Sequence, residues 1–423
     1  MTIILFALLL ILFIFSVPIA IALGLASMLY LVIIADIPLI TLPQRMFASL
    51  DSFPLMAAPF FILAGKLMEH GGISERLVEF AKSLVGQLKG GLAHVAVVSC
   101  MFFAALSGSA SATTAAIGAI LIPSMVKAGY DRNFATAIHV AGGTTGIVIP
   151  PSVPLVLYGV SASASVSSLF IAGIIPGLMV GFSIMVVAYI LSCIKGYGKD
   201  SEKTSIANIG RTFQRASLAL IMPIIILGGI YGGFFTPTEA SVVAVVYGFI
   251  VGVFVYRQIK WNVMREILVS SVVTTSVILF IIATAGLFGM VLTRAQLPQA
   301  VASFFMESNL SPIVILLLIN LFLLVVGTFM ETIASIIILT PILLPVVVSI
   351  GMDPIHFGII MIVNLSVGLM TPPVGVSLFI GAQVGGTRYE SLVGAIMPFL
   401  LMMIINILLI TFIPALSTGF LTK

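Results

Sequence analysis

The sequence contains very little charge. Of its 423 residues only 8% are Asp, Glu, Lys or Arg, whereas 61% are hydrophobic. A soluble globular chain carries about a quarter charged residues, so this chain does not have enough polar surface to face water on all sides. The composition excludes a soluble enzyme, a nucleic-acid-binding protein and a disordered scaffold. It predicts a polytopic membrane protein.

Motifs for covalent chemistry are also scarce. The two cysteines, Cys100 and Cys193, lie inside apolar segments and predict no disulfide framework. The sequence has no Gly-x-x-x-x-Gly-Lys-Ser/Thr loop for phosphate, no metal-site cluster of His, Cys and carboxylates, and no base paired with its serine-rich segment. We therefore expect no enzymatic activity, and we expect transport by this chain to be driven by an ion gradient. The chain begins at Met1 without a basic leader or a cleavage signal, so we expect it to be unprocessed.

Long apolar runs fill most of the chain, and a transmembrane helix needs about 20 such residues. The 18 Lys and Arg residues divide 15 to 3 between the two sides of the membrane when runs 91–126 and 311–350 are interpreted as re-entrant hairpins. Interpreting either run as a single span destroys this division. Since basic residues accumulate on the cytoplasmic side, the count predicts two re-entrant hairpins, with only Arg45, Arg294 and Lys423 outside.

An internal repeat with a spacing of 222 residues determines the predicted architecture. Seven pairs of residues that control backbone geometry coincide without a gap: Pro123 and Pro345, Gly129 and Gly351, Asp131 and Asp353, Gly146 and Gly368, Pro150 and Pro372, Pro151 and Pro373, Gly159 and Gly381. The orientation count opens the first hairpin to the cytoplasm and the second to the outside, which predicts inverted repeats. Inverted repeats with broken helices are typical of secondary transporters, whose sites lie near the membrane midplane.

The repeat divides the chain into seven segments. We expect 1–70 and 216–292 to form scaffold helices, 71–90 and 293–310 to form arm helices on the membrane surface, and 196–215 to form a cytoplasmic loop. The first transport repeat is 91–195, with hairpin 91–128 and broken helix 133–158. The second is 311–423, with hairpin 311–350 and broken helix 355–382.

Residues 3–35 have two interpretations. The repeat relates them to the pair of spans at 216–256, which predicts two short passes with a turn near Val17 and Pro18 and an external N-terminus. The alternative is one long kinked helix with its N-terminus inside.

The arm segments are amphipathic. In 72–89, one stripe carries Ile73, Leu77, Phe80, Leu84 and Leu88, which is typical of a helix that lies on a membrane surface. The counterpart near 293–310 carries Leu297, Val301 and Phe304. We expect these helices to brace a moving part, although a simple connector is the alternative.

The first hairpin is predicted to turn at Ser107–Thr114, here called the first tip, where eight consecutive residues are small. Their hydroxyls and freed carbonyls would supply oxygen ligands suited to Na⁺. The helix that starts there would attract an anion at its N-terminus. Small-residue packing between helices is the alternative interpretation.

Two matched segments, Ala141–Pro151 and Asn364–Pro373, are predicted to unwind. A Pro pair removes two backbone donors and clashes with the preceding turn, so it interrupts a helix and releases carbonyl oxygens. One such segment could be a simple kink, but two at matched positions favour a pair of cation sites. We call these segments the first and second break.

The second hairpin is predicted to turn at Gly327–Thr332, the second tip. Glu331 is a functional candidate because a carboxylate inside a membrane is rarely incidental. Thr328 and Glu331 also have the spacing of a capping box, and the two roles are compatible.

The remaining ionisable residues have simpler interpretations. Thr236 and Glu239 are predicted to form a capping box, and Asp131 and Asp353 to cap the helices after each hairpin. His139 lies beside the first break and is a candidate for facing the transport pathway.

Six segments together resemble the large, DctM-type membrane subunit of TRAP transporters, the tripartite ATP-independent periplasmic uptake systems. They are Phe53–Gly65, Ser107–Thr114, Gly142–Pro151, Phe235–Ala240, Gly327–Thr332 and Asn364–Pro373, and they extend over nearly the whole chain. The resemblance implies a two-hairpin elevator fold of the ion transporter superfamily. It also implies Na⁺-coupled import of an organic acid, such as a C4-dicarboxylate or sialic acid, across the bacterial inner membrane.

The resemblance further implies two protein partners. One is a small four-helix, DctQ-type membrane subunit, which we expect to be a separate chain because no four-helix block precedes residue 53. The other is a periplasmic, DctP-type substrate-binding protein. Both termini would lie in the periplasm, and no organic cofactor is implied.

The resemblance also implies site residues. A first Na⁺ would lie at Ser107, Ser109, Gly142, Gly146, Ile149 and Pro150. A second would lie at Gly327, Thr328, Glu331, Asn364, Gly368 and Thr371. The substrate anion would be bound at the tips, without an Arg, by Ser107, Gly108, Ser109, Ser111, Thr113, Thr328, Glu331 and Thr332.

Two other functions remain open at the level of sequence. One is a self-sufficient Na⁺/dicarboxylate symporter of the same superfamily, which needs no partner. The other is an ion channel or a membrane scaffold, and the inverted repeats count against it.

Overall fold

The computed structural model describes residues 2–34, 37–198, 205–307 and 310–421. Within these ranges the chain is helical, and no strand occurs among them. Eight helices of the described part are long and apolar enough to cross a membrane, or up to 10 if each of two bent helix pairs forms one span. The predicted all-α polytopic membrane fold is confirmed.

The helices of the two halves follow one another in the same order. The first half contains Thr2–Ile14, Ile19–Leu29, Thr41–Leu50, Ala57–His70, Ile73–Val85, Gly91–Ser107, Ala110–Lys127, Arg132–Gly143, Thr145–Val148, Val153–Ser161 and Val166–Lys195. The second half contains Ile206–Tyr231, Pro237–Phe249, Trp261–Arg294, Leu297–Glu307, Pro312–Phe329, Thr332–Ser349, Pro354–Gly368, Val376–Gly385, Tyr389–Phe412 and the short Ala415–Thr418.

The repeat extends to backbone detail. Asp131 and Asp353 both cap the helix after a hairpin, as predicted, by accepting hydrogen bonds from backbone N–H groups of the first turn. Gly129 and Gly351 both have left-handed φ angles, +85° and +83°, which a side chain would disfavour. Equivalent residue types therefore impose equivalent turns in the two copies, and the predicted repeat is confirmed.

The N-terminal segment forms two helices. Thr2–Ile14 ends before a turn, and Ile19–Leu29 begins directly after Pro18. Proline suits this position because it has no N–H to donate within a first turn. The counterparts under the repeat are Ile206–Tyr231 and Pro237–Phe249, so the two-helix interpretation agrees with the structure.

The two hairpins and the two broken helices interlock. The second arm of the first hairpin, Ala110–Lys127, packs against the second half of the second broken helix, Val376–Gly385. In the reciprocal contact, Thr332–Ser349 packs against Val153–Ser161. Each repeat therefore supplies a hairpin arm to the broken helix of the other.

A second group of helices lies beside this interlocked unit. Trp261–Arg294 packs along Ile19–Leu29, Thr41–Leu50 and Ala57–His70. Ala57–His70 also packs against Pro237–Phe249, which begins with the predicted capping box of Thr236 and Glu239. The assignment of these helices to a fixed scaffold remains a prediction.

The arm helices are shorter than predicted. The first is Ile73–Val85, in which Ile73, Leu77 and Phe80 are buried, but Leu84 and Leu88 are 37% and 43% exposed. Leu88 lies after the end of the helix, so it does not share the helical stripe. The helix packs against Gly91–Ser107 and Ile206–Tyr231.

The second arm helix is Leu297–Glu307, and residues 308 and 309 lie outside the described residues. The side chain of Phe304 is exposed, whereas Phe305 packs against the core. The position of Phe304 on a stripe that faces the membrane stays a prediction. Two helix boundaries differ from the prediction. Helix Trp261–Arg294 includes the first residues of the predicted arm 293–310, and helix Ile206–Tyr231 begins inside the predicted loop 196–215. Residues 199–204 of that loop lie outside the described residues.

Candidate cation and anion site

The first tip is a tight turn stabilised by its own hydroxyl groups. Gly108 ends helix Gly91–Ser107 with a φ of +60°, and Ser109 caps helix Ala110–Lys127 by accepting a hydrogen bond from Ala112 N. The hydroxyls of Ser107 and Thr113 lie 2.9 Å apart, and Thr113 Oγ1 donates to Ser109 O at 2.7 Å. Three oxygen atoms from these residues therefore form one compact group.

The first break lies against this tip. A Cβ atom added to Gly146 would lie 2.5 Å from Ser109 O and 2.8 Å from Thr113 Oγ1, so only glycine permits this approach. A Cβ added to Gly108 would lie 3.3 Å from Val153 N, on the other side of the break. The structure therefore brings Ser107, Ser109 and Thr113 together with Gly146.

The first helix breaks later than predicted. Arg132–Gly143 continues almost directly into Thr145–Val148, and the interruption extends from Ile149 to Ser152. Gly142 and Gly143 remain helical, and their lack of a side chain permits close packing. A Cβ added to Gly142 would lie 3.1 Å from Cys100 Sγ, and a Cβ added to Gly143 would overlap the Thr114 hydroxyl. The Pro150–Pro151 pair, whose peptide bond is cis, is where the helix ends.

Other predicted residues of the first site have different surroundings. The carbonyl of Gly142 accepts a hydrogen bond from Thr145 Oγ1 at 2.6 Å. Ile149 and Pro150 pack against Gly177 and Gly173 of helix Val166–Lys195. Ser111 is half-buried on the helix that starts at the tip.

His139, a candidate for the pathway, is fully buried in the first broken helix. Its Nδ1 lies 2.6 Å from Ala135 O, one turn earlier in the same helix. Its Nε2 is buried without a hydrogen-bond partner. The backbone of His139 contacts the last residue of the first tip, because Thr114 Oγ1 donates to His139 O at 3.5 Å, but its imidazole makes no hydrogen bond to the tip among the described residues.

At the second tip, Glu331 is itself the N-cap of helix Thr332–Ser349. Its carboxylate accepts a hydrogen bond from Ile333 N at 2.8 Å, and its side chain is exposed at the molecular surface. The predicted capping box is wrong, since Thr328 still belongs to the preceding helix and donates to Val325 O at 2.7 Å. Under the repeat Glu331 corresponds to Ser109, so both tips place an N-cap oxygen at the same position.

The second break contacts the second tip through backbone atoms. Gly327 and Gly368 approach so closely that a Cβ on Gly368 would lie 2.5 Å from Gly327 Cα. Gly375 N donates to Thr328 O at 3.1 Å, across the interruption. The structure therefore brings Gly327 and Thr328 together with Gly368.

The second break also lies later than predicted. Helix Pro354–Gly368 includes Asn364, and the interruption extends from Leu369 to Gly375. Thr371 lies in this interruption and its hydroxyl donates to Val367 O at 2.7 Å. The Pro372–Pro373 peptide bond is cis, like its counterpart in the first break.

Several buried oxygen atoms of the second repeat have no hydrogen-bond partner in the described structure. They are Asn364 Oδ1, Ser366 Oγ, Ser377 Oγ and Thr332 Oγ1. Each belongs to a residue that is at most 2% exposed, and an unsatisfied buried polar group costs about 1–3 kcal/mol. These atoms are therefore free to accept a hydrogen bond or a cation.

Sequence reasoning missed Ser366 and Ser377. Ser366 lies within the predicted second break, but its repeat partner is Thr144, which was not a candidate. Ser377 lies just after the break and corresponds to Leu155 in the first repeat. Because Leu155 is apolar, comparing the two repeats did not indicate a polar site at this position.

Apart from the Glu331 carboxylate at the second tip, both sites consist of neutral oxygen atoms. No group of three or more His, Cys, Asp or Glu side chains converges in the ranges that the structure describes. Hydroxyl, amide and carbonyl oxygens suit a hard cation, whereas a transition metal prefers imidazole or thiolate. The oxygen atoms can hold a hard cation of low charge, and the starts of two helices nearby favour an anion beside it.

Nearly the whole chain matches one protein family. The family model for the DctM component of tripartite ATP-independent periplasmic transporters matches residues 6–416. The chain belongs to this family. It is therefore a large permease subunit of a TRAP transporter, a multi-span membrane protein, as the sequence resemblance implied.

Two relatives are similar to this chain over most of its length. The chain is 44% identical to the C4-dicarboxylate TRAP transporter large permease protein DctM of Pseudomonas aeruginosa, over 94% of this chain and 92% of that protein. It is also 44% identical to the isethionate TRAP transporter permease protein DctMQ of Oleidesulfovibrio alaskensis, over 96% of this chain. The match spans only 64% of that longer relative.

A solved structure shares the fold. The YdaH transporter of Alcanivorax borkumensis superposes with a TM-score of 0.64, over 88% of this chain and 86% of that protein. The sequence identity is 15%, so this likeness concerns the fold alone.

Proposed function

We propose that this TRAP permease subunit imports an organic anion across the bacterial inner membrane by symport with Na⁺. The observation that carries the proposal is the contact of a hairpin tip with a helix break, made in both repeats and rich in neutral oxygen atoms. In the first repeat these atoms are Ser107 Oγ, Ser109 O and Thr113 Oγ1 beside Gly146. In the second they include the unpartnered oxygen of Asn364.

Na⁺ fits these groups better than a multivalent cation does. Neither tip-to-break contact contains a cluster of carboxylates, and a divalent ion in a membrane would need several to balance its charge. A monovalent ion requires only neutral dipoles, as in other transporters with broken helices. Binding at Asn364 would also relieve the cost of its unsatisfied oxygen.

The substrate anion would be bound between the tips. Helices Ala110–Lys127 and Thr332–Ser349 both begin there, and helix N-termini favour negative charge. Bound Na⁺ would add positive charge at the same place, so that cation binding precedes and strengthens anion binding. The names of the two relatives, C4-dicarboxylate and isethionate, favour a small carboxylate or sulfonate.

Alternating access would follow from motion of the interlocked hairpin unit against the neighbouring helices. The contact between them includes Gly65 of Ala57–His70, where an added Cβ would lie 3.3 Å from Ser107 O. Gly65 lets the two backbones approach closely at this point, while Phe61 of the same helix packs edge-on against Phe170. An elevator movement of this kind would carry both sites across the membrane together.

Two partners complete the proposed system. A periplasmic binding protein would deliver the anion, and a small membrane subunit would hold the scaffold helices in place. The longer DctMQ relative supports the second partner, since it contains residues beyond the region that matches this chain. Both termini of this chain would lie in the periplasm.

Reconstitution into liposomes tests the proposal. The chain, the small subunit and the binding protein are combined, and uptake of labelled C4-dicarboxylate, sialic acid and isethionate is measured with an inward Na⁺ or K⁺ gradient. Uptake that requires both Na⁺ and the binding protein is expected. Na⁺-driven uptake by this chain alone would favour a self-sufficient symporter, and equal uptake in K⁺ would contradict Na⁺ coupling.

A further inference from the structure

Asn364 takes part in a chain of buried amide and hydroxyl groups. Its Nδ2 donates to Asn320 Oδ1 at 2.9 Å, and Asn320 Nδ2 donates to Thr411 Oγ1 at 3.0 Å. Thr411 Oγ1 donates in turn to Ile407 O at 2.7 Å. The chain connects the second broken helix to the first arm of the second hairpin and to the last long helix, Tyr389–Phe412.

The shortest contacts of this chain assign one direction to its hydrogen bonds, and a longer contact of 3.4 Å joins Thr411 Oγ1 to Asn320 Oδ1. A backbone carbonyl can only accept, so the contact with Ile407 O makes the Thr411 hydroxyl a donor there and an acceptor from Asn320. Asn320 must then present its oxygen to Asn364. Asn364 Nδ2 also donates to Ile360 O at 2.8 Å, which uses both of its N–H groups.

The consequence is that Asn364 cannot turn its amide over. Its nitrogen is held by Asn320 and Ile360, and its oxygen is buried with no hydrogen-bond donor in the described structure. Asn364 lies one turn before Gly368, the residue that contacts the second tip. The relay therefore presents a free oxygen on the part of the helix that approaches the tip.

We infer that Asn320 is a positioning residue for the second cation site: with Thr411 as its anchor, it holds Asn364 Oδ1 in the orientation that coordinates Na⁺. This inference rests on the proposed Na⁺ coupling. Asn320 does not touch the ion, and its contribution is to hold the Asn364 amide in one orientation together with Ile360 O. Residues behind a metal ligand commonly change cation affinity by about 10–100-fold.

The relay is specific to the second repeat. Under the repeat, Asn364, Asn320 and Thr411 correspond to Gly142, Val98 and Tyr189, which cannot form such a chain. General packing of a hairpin arm on a broken helix therefore does not require it. His356 makes two contacts beside the relay: its Nδ1 lies 2.6 Å from Ser417 Oγ of the short helix Ala415–Thr418, and its Nε2 lies 3.3 Å from Thr411 O.

A Na⁺ titration of thermal stability tests the inference. The purified transporter is melted at increasing NaCl, with KCl keeping the ionic strength constant, and the Na⁺ concentration for half-maximal stabilisation is read. Asn320→Leu is expected to raise this concentration about tenfold. Thr411→Val, which removes only the anchoring hydroxyl, is expected to raise it about threefold, and Thr411→Ser to restore the wild-type value.

The matched control is Asn406→Leu. Asn406 is a buried asparagine on the same helix as Thr411, and it donates to Ser183 Oγ at 2.6 Å, outside the relay. It is expected to lower stability in the absence of Na⁺ but to leave the Na⁺ dependence unchanged.

The outcomes separate the two claims. A wild-type protein that K⁺ and Na⁺ stabilise equally would overturn the proposed Na⁺ coupling itself. A Na⁺-specific response in wild type that Asn320→Leu and Thr411→Val leave unchanged would overturn the relay alone. If Asn320→Leu does not fold, the pair Thr411→Val and Thr411→Ser decides the question.

Discussion

The two tip-to-break contacts share a backbone plan and differ in their side chains. In the first repeat, Ser107, Thr113 and Ser152 all direct their hydroxyls to oxygen atoms nearby, so the oxygen group is satisfied within the protein. In the second repeat, the side-chain oxygens of Asn364 and Ser377 remain without a donor. The hydroxyls of the first contact therefore have partners within the protein, whereas the second contact has side-chain oxygens that are free to accept a ligand.

This difference indicates unequal roles. An oxygen that already accepts a hydrogen bond gains less from a cation than an oxygen that has none, because the cation must compete with that bond. We therefore expect the second site to bind Na⁺ more tightly and to contribute more of the Na⁺-dependent stability. The hydroxyls of the first site are expected to exchange their present hydrogen bonds for contacts with Na⁺ when the ion binds.

The largest effect is expected from closing the contacts with a methyl group. In Gly368→Ala the new Cβ would overlap the backbone of Gly327, and in Gly146→Ala it would overlap Ser109 O. Overpacking costs about 1–3 kcal/mol, which corresponds to a loss of up to about a hundredfold in Na⁺-driven uptake. Uptake in liposomes measures this loss, and Gly368→Ala should be at least as severe as Gly146→Ala.

The control for these variants is Gly394→Ala, in a long helix where an added Cβ meets nothing within 4 Å. It should transport normally, and a Gly-to-Ala change at an open helical position stabilises by about 0.4–1 kcal/mol. Normal uptake by both Gly368→Ala and Gly146→Ala would contradict the site assignment in both repeats.

A smaller effect is expected at the equivalent pair Asn364 and Gly142. Asn364→Ala removes a free oxygen and should weaken Na⁺ affinity about ten- to thirtyfold. Gly142→Ala places a methyl group 3.1 Å from Cys100 Sγ, so it should lower thermal stability without changing the Na⁺ dependence. Isothermal titration measures the Na⁺ affinity of both variants. If Gly142→Ala weakened this affinity as much as Asn364→Ala did, the predicted difference between the two sites would be contradicted.

Removing single hydroxyls distinguishes satisfied from unsatisfied oxygens. Ser377→Ala deletes a buried hydroxyl without a partner, so the free energy of unfolding without Na⁺ should rise by about 1 kcal/mol while the gain on adding Na⁺ shrinks. Thr113→Val deletes a hydroxyl that is hydrogen-bonded to Ser109 O, so stability without Na⁺ should fall by about 1 kcal/mol. Thermal unfolding in K⁺ and in Na⁺ measures the stability of both variants. If the two substitutions changed stability in the same direction in K⁺, the distinction between satisfied and unsatisfied oxygens would be contradicted.

The smallest effect is expected at the N-caps of the two tips. Ser109→Ala and Glu331→Ala each remove an oxygen that accepts a hydrogen bond from the first turn of a helix, at a cost of about 1 kcal/mol. Glu331→Gln keeps an acceptor and should cost about half of that. Unfolding measurements test the caps, and a loss of uptake in Glu331→Gln at normal stability would show that the charge of Glu331 acts beyond capping.

The architecture could be predicted from the sequence because basic residues and turn-forming residues largely determine it. The basic residues oriented the chain, and the pairs Gly129/Gly351 and Asp131/Asp353 marked turns whose geometry the structure reproduces. Helix ends were less predictable. Leu88 and the loop before Ile206 were misjudged because apolar or charged composition does not determine where the last hydrogen-bonded turn forms.

The site was predicted at the level of segments rather than atoms. Glycine was taken as a sign of unwinding at Gly142, yet there it serves contact with Cys100, and the prolines alone interrupt the helix. The capping box at Thr328 failed because two helix ends compete for these residues and the preceding helix retains Thr328. Asn320 was not a candidate because its role depends on contacts with residues 44 and 91 positions away.

Counting bound Na⁺ ions is the most direct test of the central claim. Equilibrium binding of ²²Na⁺ to the purified subunit, with K⁺ as the competing background, should saturate at two ions per chain. Gly368→Ala and Gly146→Ala should each retain one, and the ion that Gly368→Ala loses should be the tighter of the two. Binding that does not saturate, or that stays at two ions in both variants, would contradict the account.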